Sequence, residues 1–208
     1  MIIYPNSKIN IGLRVLGKRP DNFHNLETIF YPLPHFDILE VIESDEEQEI
    51  IFTSSGIQVI SEHSDNLCVK AYQLLKKKLY NLPHLYMHLH KAIPVGAGLG
   101  GGSADAAFTL KLLNDKFSLG LSEIDLMKIA AELGSDCAFF IQNMPALGKG
   151  RGEILEPIEL DLSGFDILLV NPGIHISTES AFKGLRIQNN PYSLAEVIKQ
   201  PVAEWKSL

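Results

Sequence analysis

Pro94-Val95-Gly96-Ala97-Gly98-Leu99-Gly100-Gly101-Gly102-Ser103-Ala104-Asp105-Ala106-Ala107 is the stretch that decides the fold, and it places five glycines within seven residues. Glycine lets the backbone adopt positive φ and approach a ligand closely. Ser103 is a good N-cap, and the alanines after it favour a helix. A helix that opens directly from a glycine loop offers free N–H groups and a positive dipole end, which attract phosphate. We therefore predict a phosphate-binding loop here rather than a flexible linker or a tight turn.

Composition limits the partners of this loop. The chain has 208 residues, enough for one large domain or two small ones, with 46% hydrophobic and 21% charged residues. Its formal net charge of −7 argues against nucleic acid or an anionic membrane as a main partner. A phosphate ligand therefore needs local cations and backbone N–H groups.

The cysteines and the N-terminus indicate a cellular location. Cys68 and Cys137 are too few and too scattered for a disulfide framework or a zinc site, so we expect reduced, buried thiols. Residues 1–15 contain Lys8 and Arg14 and lack an uninterrupted apolar core, so we expect that they are not a signal peptide. No stretch approaches the length of a membrane span. We expect a cytoplasmic protein.

Two segments before the loop carry polar groups that suit a ligand. Residues 8–15 alternate strictly and predict a strand that places Lys8 and Asn10 on one face, either converging on a ligand or solvated. In the polar loop 17–25, Phe23 and His24 suit stacking and hydrogen bonding to a planar ring, although Phe23 could equally fill a small apolar cluster.

The remaining segments predict alternating strands and helices. Residues 36–43 and 49–53 resemble paired strands, an amphipathic helix follows Asn66, and the strand 85–89 leads into the glycine loop. His88 and His90 on that strand indicate a solvated face rather than a metal site, because no third ligand lies near them in sequence.

Beyond the loop, the sequence predicts further helices and a domain boundary. Ser122 to Asp125 form a capping-box variant at the start of a helix that ends at Gly134. Asp136 then either caps the next short helix or acts as a catalytic carboxylate, and the two roles are compatible. The glycine-rich basic turn 148–153 marks a domain boundary. An apolar strand at 165–170 and helices beginning at Ser177 and Ser193 complete an α+β pattern.

Three common phosphate-binding loops do not fit the glycine stretch. Residues 96–101 satisfy G-x-G-x-x-G, but the stretch lies in mid-chain and no acidic strand end follows at the distance that a dinucleotide site requires. A Walker A loop needs a lysine before its serine, and Gly102-Ser103 has none. A protein-kinase loop needs His-Arg-Asp and Asp-Phe-Gly downstream, and neither occurs.

The stretch resembles the glycine-rich loop of the GHMP small-molecule kinases, Pro-x-x-x-Gly-Leu-Gly-x-x-Ser-x-x-x-Ala. Four stretches extend the resemblance over most of the chain, in the family's order. They are Ser7-Lys8-Ile9-Asn10 with Gly17-Lys18-Arg19 and Phe23-His24; the triple-glycine loop; Gly134-Ser135-Asp136; and Asn171-Pro172-Gly173 with Ser177-Thr178 and Phe182. Their detail resembles the family members of the non-mevalonate isoprenoid pathway.

The resemblance implies an α+β GHMP kinase two-domain fold. Residues 1–150 would form an N-terminal ATP-binding domain like domain 2 of ribosomal protein S5. Residues 151–208 would form an incomplete, partly ferredoxin-like C-terminal domain, since the family's chains continue to a further glycine-rich motif that nothing after Gln200 resembles. We expect this incomplete domain to expose apolar surface.

The resemblance also implies a reaction, transfer of the ATP γ-phosphate to the tertiary 2-hydroxyl of a cytidylated methylerythritol, with Mg²⁺. Asp136 would take the hydroxyl proton, and Lys8 would hold Asp136 ionised. Ser103 would lie near Mg²⁺. Asn10, His24, Phe23 and Phe182 would bind the cytidine end, with the two aromatic rings sandwiching the base. The ATP-binding residues would be Pro94, Val95, Gly96, Ala97, Gly98, Leu99, Gly100, Gly101, Gly102, Ser103 and Ala104.

One departure from the family's pattern and two alternative functions remain at this point. The family's aromatic before His24 is usually tyrosine, and Phe23 keeps the stacking ring but lacks the hydroxyl. The chain could be another GHMP kinase acting on homoserine, mevalonate or a sugar, which the set of Lys8, Phe23-His24 and Phe182 disfavours. It could also be a nucleotide-binding module with little activity.

Overall fold

The computed structural model describes residues 1–21, 23–58, 63–79, 82–173 and 192–207. The strands are β1 (Ile2–Ile3), β2 (Asn6–Lys18), β3 (His24–Phe36), β4 (Ile38–Glu43), β5 (Ile50–Gly56), β6 (Leu85–Lys91), β7 (Ala146–Gly150) and β8 (Ile154–Pro157). The α-helices are α1 (Leu67–Leu79), α2 (Gly101–Lys116), α3 (Glu123–Leu133), α4 (Cys137–Gln142) and α5 (Leu194–Val197). Short 3₁₀ helices cover His63–Asp65 and Val202–Ser207. The α+β class predicted from the sequence is confirmed.

The chain forms two compact units, each built from two separate segments. The first unit comprises Met1–Ile9 and Pro32–Asn143, and the second comprises Asn10–Tyr31 and Met144–Leu208. Antiparallel pairing of β3 with β7 brings residues 26–30 beside residues 146–150, which explains why the second unit combines distant segments. The predicted domain boundary at residue 150 stays a prediction, since the two compact units do not correspond to residues 1–150 and 151–208.

The first unit is a four-stranded sheet with helices packed on it. The strand order is β1-β4-β6-β5, with β5 parallel to β6 and the other pairs antiparallel. The buried face of β6 consists of Leu85, Met87 and Leu89, as the alternation predicts. The expected direct pairing of residues 36–43 with 49–53 is wrong, because β6 inserts between β4 and β5 and satisfies the backbone groups of both.

Helix α2 is central to the first unit. It contacts α1, α3 and α4, and most of its residues are buried, among them the alanines that follow the glycine loop. Small side chains allow this close approach on several faces. Its N-cap is Gly100 in the left-handed conformation. The prediction that Ser103 caps the helix is therefore wrong, because the chain turns helical at Gly101 and Ser103 lies within the first turn.

The second unit contains residues 10–18 of β2, residues 24–31 of β3, the strands β7 and β8, and helix α5, with the strand order β2-β3-β7-β8. Its buried cluster is formed by Ile29, Leu147 and Leu194. Gly12 adopts φ +69°, and a Cβ there would lie 2.8 Å from Leu194 Cδ2. The alternation predicted for β2 breaks at this glycine, and Leu13 is consequently exposed.

The predicted strand at residues 165–170 is wrong, since neither sheet includes these residues. Their large side chains are exposed, Leu168 by 88%. A strand requires a hydrogen-bonded neighbour, and the described residues supply none to this segment. The predicted helix start at Ser177 lies outside the described residues. The helix predicted from Ser193 to Gln200 begins as expected, with a capping box formed by Ser193 and Glu196, but α5 already ends at Val197.

Candidate functional site

The glycine-rich loop connects β6 to α2 as predicted, and its backbone conformation depends on glycine. Gly96, Gly98 and Gly100 have φ values of +71°, +75° and +71°. A Cβ on Gly100 would lie 2.9 Å from Phe140 Cζ and 3.0 Å from Lys8 Cε. Helix α2 begins at Gly101. The N–H groups of its first turn have no intrahelical hydrogen-bond partners and lie at the positive, N-terminal end of the helix dipole. This geometry suits an anion.

A cavity of about 330 Å³ opens beside the loop. Residues 94–103 line one side, and Asp65 and Asn66, before α1, line another. Its wall also includes Lys91 and Asp105. The Lys91 ammonium is paired with two carboxylates, so the groups that this cavity offers to an anion are the backbone N–H donors of the loop and of the start of α2.

Lys8 joins the loop to a carboxylate. Its side chain is 5% exposed, and its Nζ donates to Gly98 O at 2.9 Å and lies 3.3 Å from Asp136 Oδ2. The backbone N–H of Lys8 donates to Leu99 O at 2.9 Å. The structure therefore brings Lys8, Asp136 and the loop together within the first unit, although 128 residues separate Lys8 from Asp136 in sequence.

Asp136 occupies the N-cap position of α4 but does not act as a side-chain cap. No cap hydrogen bond from its carboxylate is found, and 32% of its side chain is exposed. Its carboxylate instead faces the Lys8 ammonium. The predicted side-chain cap is therefore wrong, and the catalytic role of the carboxylate stays a prediction.

Ser103 lies in the first turn of α2 and hydrogen-bonds Cys137, the residue after Asp136. Burial raises the pKa of the Cys137 thiol to about 11, an effect that the Ser103 hydroxyl partly offsets. Oxygen donors such as the Ser103 hydroxyl suit Mg²⁺, which binds few protein ligands and keeps phosphate and water oxygens. The described residues contain no cluster of three or more His, Cys, Asp or Glu side chains that could hold a metal without such a ligand.

The second unit carries three of the residues predicted to bind the acceptor. The Asn10 side chain donates to Thr28 Oγ1 at 2.8 Å, and Thr28 in turn donates to Gly12 O at 2.7 Å. His24 is the first residue of β3. Phe23 is 53% exposed, and the Arg151 guanidinium carbon lies 4.9 Å from its ring centroid. Phe182 lies outside the described residues.

Sequence reasoning missed several residues beside the glycine loop and beside Phe23. Lys91, Asp105 and Asp37 form a buried charged cluster beside the loop. One signal for it was present, since Lys91 continues the inward positions 85, 87 and 89 of β6, where a lysine is unusual. Arg151 belongs to the glycine-rich turn 148–153, but nothing in its local pattern indicates the contact with Phe23.

His88 and His90 lie on the exposed face of β6, where the sequence placed them. His88 Nδ1 and Nε2 lie 2.8 and 2.9 Å from Thr53 Oγ1 and Ser55 Oγ, and His90 Nδ1 lies 2.9 Å from the same serine. Hydroxyl groups of β5 therefore bond both ring nitrogens of His88 and one ring nitrogen of His90. No helix in the described part of the chain is long and apolar enough to cross a membrane.

Comparison with known proteins adds to this geometry. Residues 66–144 match the family described as "GHMP kinases N terminal domain". The chain is 50% identical over 208 residues to 4-diphosphocytidyl-2-C-methyl-D-erythritol kinase of Bacteroides fragilis, covering 100% of this chain and 76% of that relative. The protein of the same name from Cytophaga hutchinsonii is 49% identical with the same coverage.

A solved structure is also similar. It is a crystal structure of 4-(cytidine 5'-diphospho)-2C-methyl-D-erythritol kinase, with a TM-score of 0.66 and 35% sequence identity. The alignment covers 77% of this chain and 56% of that chain. The present chain therefore spans somewhat more than half of the solved protein and about three quarters of the curated relatives.

Proposed function

The chain belongs to the 4-diphosphocytidyl-2-C-methyl-D-erythritol kinases of the GHMP family, and from this membership we propose that it transfers the γ-phosphate of ATP to the 2-hydroxyl of 4-diphosphocytidyl-2-C-methyl-D-erythritol. The product belongs to the non-mevalonate route to isoprenoids. The observation that carries the proposal is the Lys8–Asp136 ion pair of 3.3 Å beside the glycine loop. It supplies a carboxylate base and a cation next to the phosphate-binding backbone.

In this proposal Asp136 takes the proton from the acceptor hydroxyl as its oxygen attacks the γ-phosphorus. The bond between that phosphorus and the bridging oxygen breaks, and ADP leaves. The Lys8 ammonium, 3.3 Å from the Asp136 carboxylate, would lower the cost of the developing alkoxide. Phosphoryl transfer otherwise depends on position and on charge stabilisation. Lys8 serves both needs, because its Nζ also donates to Gly98 O within the loop.

The loop residues 94–104 would bind the triphosphate through their N–H groups and the start of α2. The Ser103 hydroxyl would help to hold Mg²⁺ together with the phosphates. Bound there, Mg²⁺ would neutralise charge on the triphosphate. The cavity of about 330 Å³ beside the loop offers space for the nucleoside part.

The cytidine end of the acceptor would bind at Asn10, Phe23, His24 and Phe182. The exposed Phe23 ring supports this proposal, since an aromatic face is available for stacking on a pyrimidine. A cytoplasmic location stays a prediction that rests on the free, buried cysteines Cys68 and Cys137.

Measurement of ADP release with three acceptors tests the proposal. We expect turnover with the cytidylated methylerythritol and none above background with homoserine or mevalonate. Turnover with either of those alone would assign the chain to another GHMP activity. ATP binding without turnover on any acceptor would instead leave a nucleotide-binding module.

A further inference from the structure

A buried charged cluster lies beside the glycine loop and has no part in the proposed reaction. It consists of Asp37, Lys91 and Asp105, whose side chains are 0%, 3% and 4% exposed. Lys91 Nζ donates to Asp37 Oδ2, and to Asp105 Oδ2 at 2.7 Å. We call it the Asp37–Lys91–Asp105 cluster.

The cluster connects the two ends of the loop. Lys91 is the last residue of β6, which enters the loop, and Asp105 lies in α2, which leaves it. The ion pair between them therefore fixes the distance that the loop must span. Asp37 holds the entry as well, because its Oδ1 accepts from the N–H groups of Ala92 and Ile93 at 2.6 and 2.9 Å.

The start of α2 packs directly on this cluster. A Cβ on Gly101 would lie 3.2 Å from Lys91 Nζ and 2.9 Å from Ile93 Cγ2. The first helical residue thus rests against the ammonium and against the loop entry. A displacement of Lys91 would consequently move the helix N-terminus, where an anion would bind.

Burial of these three charged groups costs free energy of folding. Burial raises the pKa of the Asp105 carboxyl to about 7, against the opposing effect of Lys91, and Asp105 Oδ1 has no hydrogen-bond partner among the described residues. Burial alone would lower the pKa of Lys91, but the two carboxylates raise it. Apolar residues of similar volume often stabilise a core as well as a buried ion group does. Stability alone therefore does not account for the cluster.

We propose that Lys91, held between Asp37 and Asp105, is a positioning residue that keeps the glycine loop and the start of α2 in the arrangement that binds the ATP phosphates. The inference rests on the proposed function only in assigning the loop to ATP. It gives Lys91 no contact with the reacting atoms.

Two replacements of Asp105 separate positioning from general stability. Asp105→Ala removes the acceptor of Lys91 on α2, and we expect the Kd of a non-hydrolysable ATP analogue and the KM for ATP to rise about tenfold or more, with kcat within about threefold. Asp105→Asn retains an oxygen for Lys91 and loses only the unpartnered one. It is therefore expected to restore the Kd to within about threefold of the wild-type value.

Thr109→Val is the matched stability control. Thr109 is fully buried one turn further along α2, and its hydroxyl donates to Asp105 O at 2.7 Å within the helix. We expect a lower Tm and an unchanged Kd for the analogue. Calorimetric titration of the whole chain with the analogue and thermal unfolding supply both quantities.

An unchanged Kd in Asp105→Ala, with a fall in Tm like that of Thr109→Val, would make the cluster purely structural and overturn the inference. If Asp105→Ala does not fold, Asp37→Asn replaces it, since both oxygens of Asp37 are in use and an amide satisfies only one set of donors. An unchanged Kd there would have the same meaning. Failure of the wild-type chain to bind the analogue would instead contradict the assignment of the loop to ATP.

Discussion

Lys8 is a charged side chain in a buried position, and its contacts explain how the fold accommodates it. The ammonium has the carbonyl of Gly98 on one side and the carboxylate of Asp136 on the other. A buried charge requires such partners, since an unpaired one would cost several kcal/mol. Each partner belongs to a different segment, so Lys8 links the loop and the start of α4.

Asp136→Asn tests the proposed base. The amide keeps the shape of the side chain but cannot take a proton, so we expect kcat to fall by about 10²–10⁴-fold while ATP binding is largely retained. Steady-state ADP release and titration with a non-hydrolysable ATP analogue measure the two effects. Wild-type turnover in this variant would remove Asp136 from the proposed role.

Lys8→Met tests the cation. It leaves Asp136 without its ion-pair partner and removes the donor to Gly98 O, so we expect kcat to fall by about 100-fold or more. Lys78→Met is the control, because the Lys78–Glu132 pair is exposed and such pairs contribute little. Normal ADP release by Lys8→Met would contradict the pairing argument, whereas Lys78→Met should match the wild type.

Gly100→Ala tests the local fit of the loop in the absence of ligand. A left-handed alanine costs about 1–2 kcal/mol, and its Cβ would also meet Phe140 and Lys8. Gly98→Ala is the control, since Gly98 has a similar φ but a Cβ added there would meet no atom of the described residues within 4 Å. We expect thermal unfolding to show a larger loss of stability for Gly100→Ala. Equal losses of stability in the two variants would mean that backbone strain at positive φ causes the effect and that contact of the added Cβ with Phe140 and Lys8 does not.

At the scale of elements, the sequence correctly predicted the features that interactions between neighbouring residues determine. The helix after Asn66, the strand before the loop and the capping box at Ser122 are confirmed, since each depends on neighbours within a few residues. The pairing of β4 with β5 was wrong because β6, more than 30 residues further on, inserts between them. Backbone pairing over such separations leaves no local signal.

The capping box of α3 gives a prediction at this scale. Ser122 Oγ accepts from the Asp125 N–H at 3.2 Å, and Asp125 Oδ2 accepts from the Ser122 N–H at 3.3 Å. We expect Ser122→Ala to lower the free energy of unfolding by about 1 kcal/mol, without an effect on ATP binding. Ser122→Thr keeps the hydroxyl and should stay close to the wild type in denaturant unfolding. Equal stability of the alanine variant would show that the box contributes nothing measurable.

At the scale of the whole molecule, the family and the kinase fold could be predicted from the sequence because their motifs are spread over most of the chain. The Asp37–Lys91–Asp105 cluster could not be, although it lies beside the decisive loop. Asp37 stands at an ordinary strand junction, and Asp105 stands among helix-forming alanines. Only the three-dimensional arrangement places both carboxylates on one ammonium. Local patterns indicate where a charge lies in sequence but not which distant charge it meets.

The same cluster predicts how the stability of the chain depends on pH. The folded-state pKa of Asp105 is about 7, whereas its ordinary value is 3.8. Between pH 3.8 and pH 7 the Asp105 carboxyl therefore binds a proton in the folded chain that it releases in the unfolded chain. The contribution of Asp105 to stability is therefore lost as pH rises through 7. Acidification from pH 7 to pH 5.5 raises the free energy of unfolding by about 1–2 kcal/mol.

Asp105→Asn removes this dependence, because the amide is neutral at every pH, as the protonated carboxyl is. We therefore expect the variant to gain more in Tm over the wild type at pH 8 than at pH 5.5. The difference between the two proteins isolates Asp105, since all other groups titrate in both. Thermal unfolding of both proteins across this range measures it. Parallel Tm curves would mean that Lys91 keeps Asp105 ionised throughout, and that the cluster carries a net negative charge beside the loop at every pH tested.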